Sequence, residues 1–270
     1  MTYPSATTFG RARIPARADS TINLGDVFGQ ALSIFAGRWV GYCGAILIEI
    51  ALIAVVGAIG IFSTMRSAMA AAANPGAFLH SGGFVAALAT IVLAAIAAVA
   101  VTHAAIALLA FRDATNRDAS LGVAFAFAVA RSPALVGLVF LYGLCVSLGS
   151  AALIIPGLIV MSMFAVAIPA CVVEGLGPLE SLSRSAALTK GDRWRVFGFL
   201  LVVHLGLGLA SQIVIRLVSM ASTPGLSLLV LVPLELLVGA FAPVALGVLY
   251  VHLRAAREGV DVEQIASVFD

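Results

Sequence analysis

The chain has 270 residues, 62% of them hydrophobic and only 10% charged, with a net charge of +2 and a mean hydropathy of +1.13. Soluble domains carry about 25% charged residues, so the composition excludes a soluble globular enzyme and points to an all-α integral membrane protein. Residues 67–111, 132–173, 196–215, 217–234 and 236–253 contain no Asp, Glu, Lys or Arg, and a membrane span needs about 20 apolar residues.

Residues 1–20 are polar and rich in Ala, Arg, Pro and Ser, with no apolar run like that of a secretory signal, and read as a disordered cytoplasmic tail. A six-span membrane domain then occupies residues 21–255, and 256–270 form a short cytoplasmic C-terminal segment. The spans fall at about 39–62, 84–111, 134–155, 157–173, 196–218 and 226–253. Pro156-Gly157 separates the third from the fourth, because proline cannot continue a helix and glycine supplies a turn. Thirteen of the fifteen cations lie in the segments on one side of these spans, against Arg66 and Arg216 on the other. Positive charge stays cytoplasmic, so both termini are expected inside, in a bacterial inner membrane.

Three of the cytoplasmic segments open alike, with Leu24-Gly25, Leu121-Gly122 and Leu176-Gly177. Each offers about three turns of helix and then feeds a pair of spans. The pattern suggests a threefold repeat of one interfacial helix plus a helical hairpin.

The third of these segments reads as an amphipathic strap lying in the membrane interface. Pro178 suits the first helical position, and Glu180 and Lys190 suit the two ends of the helix dipole. Glu180 and Arg184 are placed for an i,i+4 pair, and Gly191 for a left-handed C-cap. Leu179, Leu182 and Ala186 are expected on the apolar face, with Ser181, Arg184 and Ser185 turned elsewhere. Arg193, Trp194 and Arg195 would anchor the fifth span at headgroup depth.

These residues carry a family resemblance. Pro156-Gly157, Glu174, Gly177-Pro178, Glu180-Ser181, Arg184-Ser185, Leu188 to Gly191 and Arg193 to Arg195 resemble the membrane domain of the glycerophosphoryl diester phosphodiesterase family. Tyr250, Leu253, Arg254, Arg257, Glu258, Gly259 and Asp261 resemble that group's closing signature. In the family's enzymes hydrolysis belongs to a separate soluble barrel domain. The resemblance therefore implies a fold and a membrane role, and no activity.

Polar residues inside the spans are the candidate ligand or proton site. Glu49 lies ten residues into the first span, roughly 15 Å deep. His103 and His204 lie eight residues from the inner ends of the second and fifth spans, roughly 12 Å deep. An intramembrane carboxylate is costly and seeks a partner, so Glu49 is expected to meet His103 or His204, either as structural packing or as a ligand site. Arg216 and Glu235 form a second candidate pair toward the other leaflet. Pro233 and Pro243 flank Glu235, as in the broken helix of a transporter. Gly206 and Gly208, inside the fifth span, are expected to serve close helix packing. Cys43, Cys145 and Cys171 sit in apolar runs as packing residues.

No catalytic residue, metal site or cofactor is expected, because no enzyme motif is present in specific form. The expected function is that of a non-enzymatic multi-pass membrane protein with an assembly, stress-related or lipid-associated role. Its expected partners are the lipid bilayer and another membrane protein, with no nucleic acid. The alternative is a small-solute, ion or lipid transporter using Glu49, His103 and His204.

Overall fold

The computed structural model describes residues 22–70, 82–117, 119–221 and 224–258, and those residues hold helices and no strand. The expected tail at 1–20 and the C-terminal segment beyond residue 258 lie outside the described residues. Six stretches are long and apolar enough to cross a membrane: Leu24–Arg66, Leu88–Ala114, Ser132–Ala151, Ile155–Glu174, Arg193–Met220 and Leu229–Glu258. The chain is a multi-pass, all-α membrane protein.

The helices are α1 (Leu24–Ala70), α2 (Gly82–Ala114), α3 (Leu121–Ala130), α4 (Ser132–Ala152), α5 (Ile154–Met163), α6 (Ala167–Glu174), α7 (Pro178–Leu188), α8 (Arg193–Leu200), α9 (Leu207–Ala221) and α10 (Pro224–Glu258). Leu201–Gly206 forms a π-helical turn between α8 and α9. A kink at Arg38 (φ −137°, ψ 23°) cuts α1 into a short first part and a long second part. A short helical segment stands at the start of α1, at α3 and at α7.

Several expectations need correction. Helix α4 ends three residues before Pro156, at Leu153, which is extended (φ −167°, ψ 152°). Pro156 sits in the first turn of α5, where a missing N–H costs nothing. Gly157 is what lets the α4–α5 hairpin close, since a Cβ there would lie 2.2 Å from Ser150 Oγ and 3.0 Å from Ser150 Cα. The fourth span is broken between α5 and α6, at residues 164–166. By contrast, α10 runs as one helix through Pro233 and Pro243. A Cβ on Gly206 or Gly208 would meet nothing within 4 Å, and close packing does not explain that pair.

Packing is concentrated toward the arginine-rich end. Tyr42, Ile106, Leu109, Leu135, Leu249 and Tyr250 are fully buried there, whereas Ile59, Phe62, Leu88, Leu217 and Leu229 are exposed toward the other end. Lipid removes the hydrophobic drive between helices, leaving close contact and polar bonds to hold them. The α2–α10 contact uses small residues accordingly. Gly247 presses so closely on α2 that a Cβ would lie 2.6 Å from the Ala107 carbonyl oxygen.

Candidate functional site

Polar chemistry gathers in two places. The first is the arginine-rich end, where Arg184 spans three elements. Its Nε donates to both oxygens of Glu174, at 2.9 and 2.8 Å, and its second nitrogen reaches Glu258. The Tyr250 hydroxyl donates to Glu174, and Arg254 Nε donates to Glu258 at 2.8 Å. Hydrogen bonds to Glu174, more than any other contact, raise the Arg184 pKa. Arg257 extends the clamp, donating to the Leu188 carbonyl at 3.3 Å and pairing with Asp192 at 2.9 Å. A smaller unit repeats this chemistry on α1 and α2. There Tyr42 donates to Asp113 at 2.9 Å and Arg38 pairs with it at 3.2 Å.

Of the apolar face expected on helix α7, Leu182 is buried, and the serines expected to turn elsewhere are buried beside it. Ser181, Ser185 and Thr189 are fully buried, while Leu179 is 70% exposed. The break in the fourth span explains why hydroxyl side chains are buried here. It leaves the Met163 carbonyl and the Val166 N–H without helical partners, and buried backbone groups must be satisfied. Ser185 Oγ donates to Met163 O at 2.9 Å and accepts from Val166 N at 3.2 Å, and Thr189 Oγ1 also donates to Met163 O, at 3.1 Å.

Other strap residues divide. Pro178 opens α7 as expected. Glu180 turns back to accept from Gly177 N at 3.0 Å, and the partners of Arg184 are Glu174 and Glu258 instead. Gly191 does adopt a left-handed conformation (φ 92°), but in the turn after the helix, with Thr189 as the C-cap. Lys190 is exposed, its carbonyl accepting from Arg257. Arg195 pairs with Asp192 at 3.1 Å. Trp194 is 73% exposed and meets Phe197 edge-on at 6.1 Å, while Arg193 Nε is buried without a hydrogen bond.

The second place lies within the spans. His103 Nε2 on α2 comes to 4.0 Å from Glu49 Oε2 on α1, close enough for an ion pair and too far for a direct hydrogen bond. Glu49 is buried, lies against buried Thr102, and its Oε2 has no hydrogen-bond partner. On its other side His103 lines a cavity of about 570 Å³, which Tyr142 of α4 and His204 of the π-turn also line. The rest of the wall is apolar, with Phe164 and Phe197 its aromatic members. Of the two imidazoles that Glu49 was expected to meet, His103 or His204, it approaches His103. In the structure His204 and His103 line one cavity, and Glu49 does not line it.

The π-turn helps to place His204. Its extra residue shifts the register of the fifth span, and such turns are frequent at functional sites. The His204 Nδ1 atom bonds the Leu200 carbonyl at 3.2 Å, which fixes the ring. Arg216 and Glu235 are both exposed, and no salt bridge between them is present among the described residues, although α9 and α10 pack together. Tyr142 was missed from the sequence, for nothing distinguishes one tyrosine in a long apolar run. Comparison with family models, curated proteins and solved structures finds no match to this chain.

Proposed function

We propose that this chain is a non-enzymatic membrane protein that holds a lipophilic small molecule between its helices, with its arginine-rich end in the cytoplasm of a bacterial cell. The observation that carries this reading is the cavity of about 570 Å³, a size within the roughly 300–1,000 Å³ of small-molecule sites. Its apolar wall bears a few convergent polar groups, as such sites do. The family resemblance supports the same lipid-associated role, since the residues that carry it build the clamp at the end of the bundle.

The test is to purify the full chain in mild detergent and identify co-purifying lipophiles by mass spectrometry. The Ala165→Phe variant, which fills the wall, should lose a molecule that the parent retains. Identical lipid content in the two proteins would sink the reading. For orientation, a cysteine at Asn74 should react with an external membrane-impermeant reagent, and one at the exposed Lys190 should not.

A transport reading has its own support in the Glu49–His103 approach at 4.0 Å, because an acid beside an imidazole can carry a proton. Proteoliposomes loaded with a pH dye would then acidify with the parent and not with Glu49→Gln.

A further inference from the structure

The polar groups on the cavity wall restrict what it can hold. His204 Nδ1 faces a carbonyl oxygen at 3.2 Å. A carbonyl only accepts, so Nδ1 donates to it, and in the neutral form of the ring Nε2 is an acceptor. Among the described residues neither the Tyr142 hydroxyl nor the His103 ring has a hydrogen-bond partner, and the Glu49 carboxyl lies 4.0 Å from His103. All three side chains line the same space. Polar groups in apolar surroundings are normally satisfied by a partner, and here they are not satisfied by the protein.

We infer that the cavity takes a neutral lipophile headed by an O–H group, such as a long-chain alcohol. The inference rests on the cavity-binding reading above and adds the chemistry of the head. A hydroxyl supplies both missing partners at once, a donor for His204 Nε2 and an acceptor for the Tyr142 hydroxyl. A ketone or an ether brings no donor, and leaves His204 unsatisfied. No Lys or Arg lines the wall to hold a phosphate or carboxylate. No carboxylate lines the wall to pair an ammonium head either. The tail lies along the leucines and the rings of Phe164 and Phe197.

The experiment is competition against a photoactivatable alkyl diazirine cross-linked to the purified full chain in detergent. The competitors are hexadecanol, hexadecane, hexadecylamine and hexadecyl phosphate. Hexadecanol should compete best, by about fivefold or more over hexadecane, the worth of one or two hydrogen bonds. Tyr142→Phe and His204→Phe should each remove most of that advantage and leave hexadecane unchanged. Tyr142→Phe keeps the ring and deletes a hydroxyl that nothing in the fold uses, so it should fold as the parent does. Equal competition by all four compounds, sensitive to Ala165→Phe, would mean that the cavity binds tails alone and would overturn the O–H inference only. Better competition by the phosphate or the amine would overturn it as well. Labelling indifferent to Ala165→Phe would remove the cavity-binding reading itself.

Discussion

The clamp at the arginine-rich end and the cavity within the spans use similar residues to opposite effect. In the clamp, Glu174 accepts from Arg184 and Tyr250, and Glu258 accepts from Arg184 and Arg254. Each charged group there meets an opposite charge, and the groups come from α6, α7 and α10. At the cavity, two imidazoles and a phenol from α2, the π-turn and α4 line the wall, with the Glu49 acid of α1 behind His103, and Glu49 Oε2 has no hydrogen bond. The difference separates polar atoms that hold a fold from polar atoms left available. Where every donor and acceptor is matched inside the protein, the network rigidifies and specifies one arrangement. Where they open onto shared space, they can serve a ligand.

Mutation should divide the two regions along that line. The largest effect is expected from Glu174→Leu, which leaves Arg184 and the Tyr250 hydroxyl without their main acceptor. Removing one partner of a buried pair costs 3–5 kcal/mol. The Arg184 side chain is 27% exposed, so about 2–3 kcal/mol is expected here. Thermal unfolding in detergent should show this as a large drop in Tm, and an unchanged Tm would mean that the clamp contributes no stability.

Gly191→Val comes next, at about 2 kcal/mol from the left-handed φ alone. A Cβ there would also sit 2.8 Å from an Arg257 nitrogen, pressing on the same clamp. The exposed Ser183 is the control, and Ser183→Ala should stay within about 0.5 kcal/mol. Matching expression and melting for the two variants would remove the strained turn from the account.

The smallest effect on stability is expected in the cavity region. Glu49→Gln and Glu49→Leu should each change stability by no more than about 1 kcal/mol, the ordinary worth of a polar contact between membrane helices. A collapse of Glu49→Leu comparable with that of Glu174→Leu would show that the carboxyl is structural, and the contrast between the two regions would fail.

Much of the architecture is written in the charge pattern. Long windows without Asp, Glu, Lys or Arg show where the spans run, because a charge in hydrocarbon is too costly to place casually. The depth of Glu49 and His103 follows from counting residues at 1.5 Å each, and the structure brings them to 4.0 Å. Gly191 was legible as a left-handed residue, since glycine alone adopts that backbone without strain. The burial of the α7 hydroxyls was not. Ser185 and Thr189 are inner residues beside Leu182 only because the break at 164–166 leaves backbone groups for their hydroxyls to satisfy.

Arg184 shows the same limit at the scale of a pair. Four residues from Glu180, it had a ready local partner, but Glu180 is used by the Gly177 N–H, and Glu258, 74 residues away in sequence, takes its place together with Glu174. Sequence by itself determined that this chain lives in a membrane, that it crosses it with six apolar helices, and which polar residues lie at depth. Hydropathy and residue spacing are local properties, and they carry that information directly. The tertiary structure alone decided which polar groups are matched and which face a common cavity. That choice depends on how a kink, a break and a π-turn rotate side chains that are far apart along the chain.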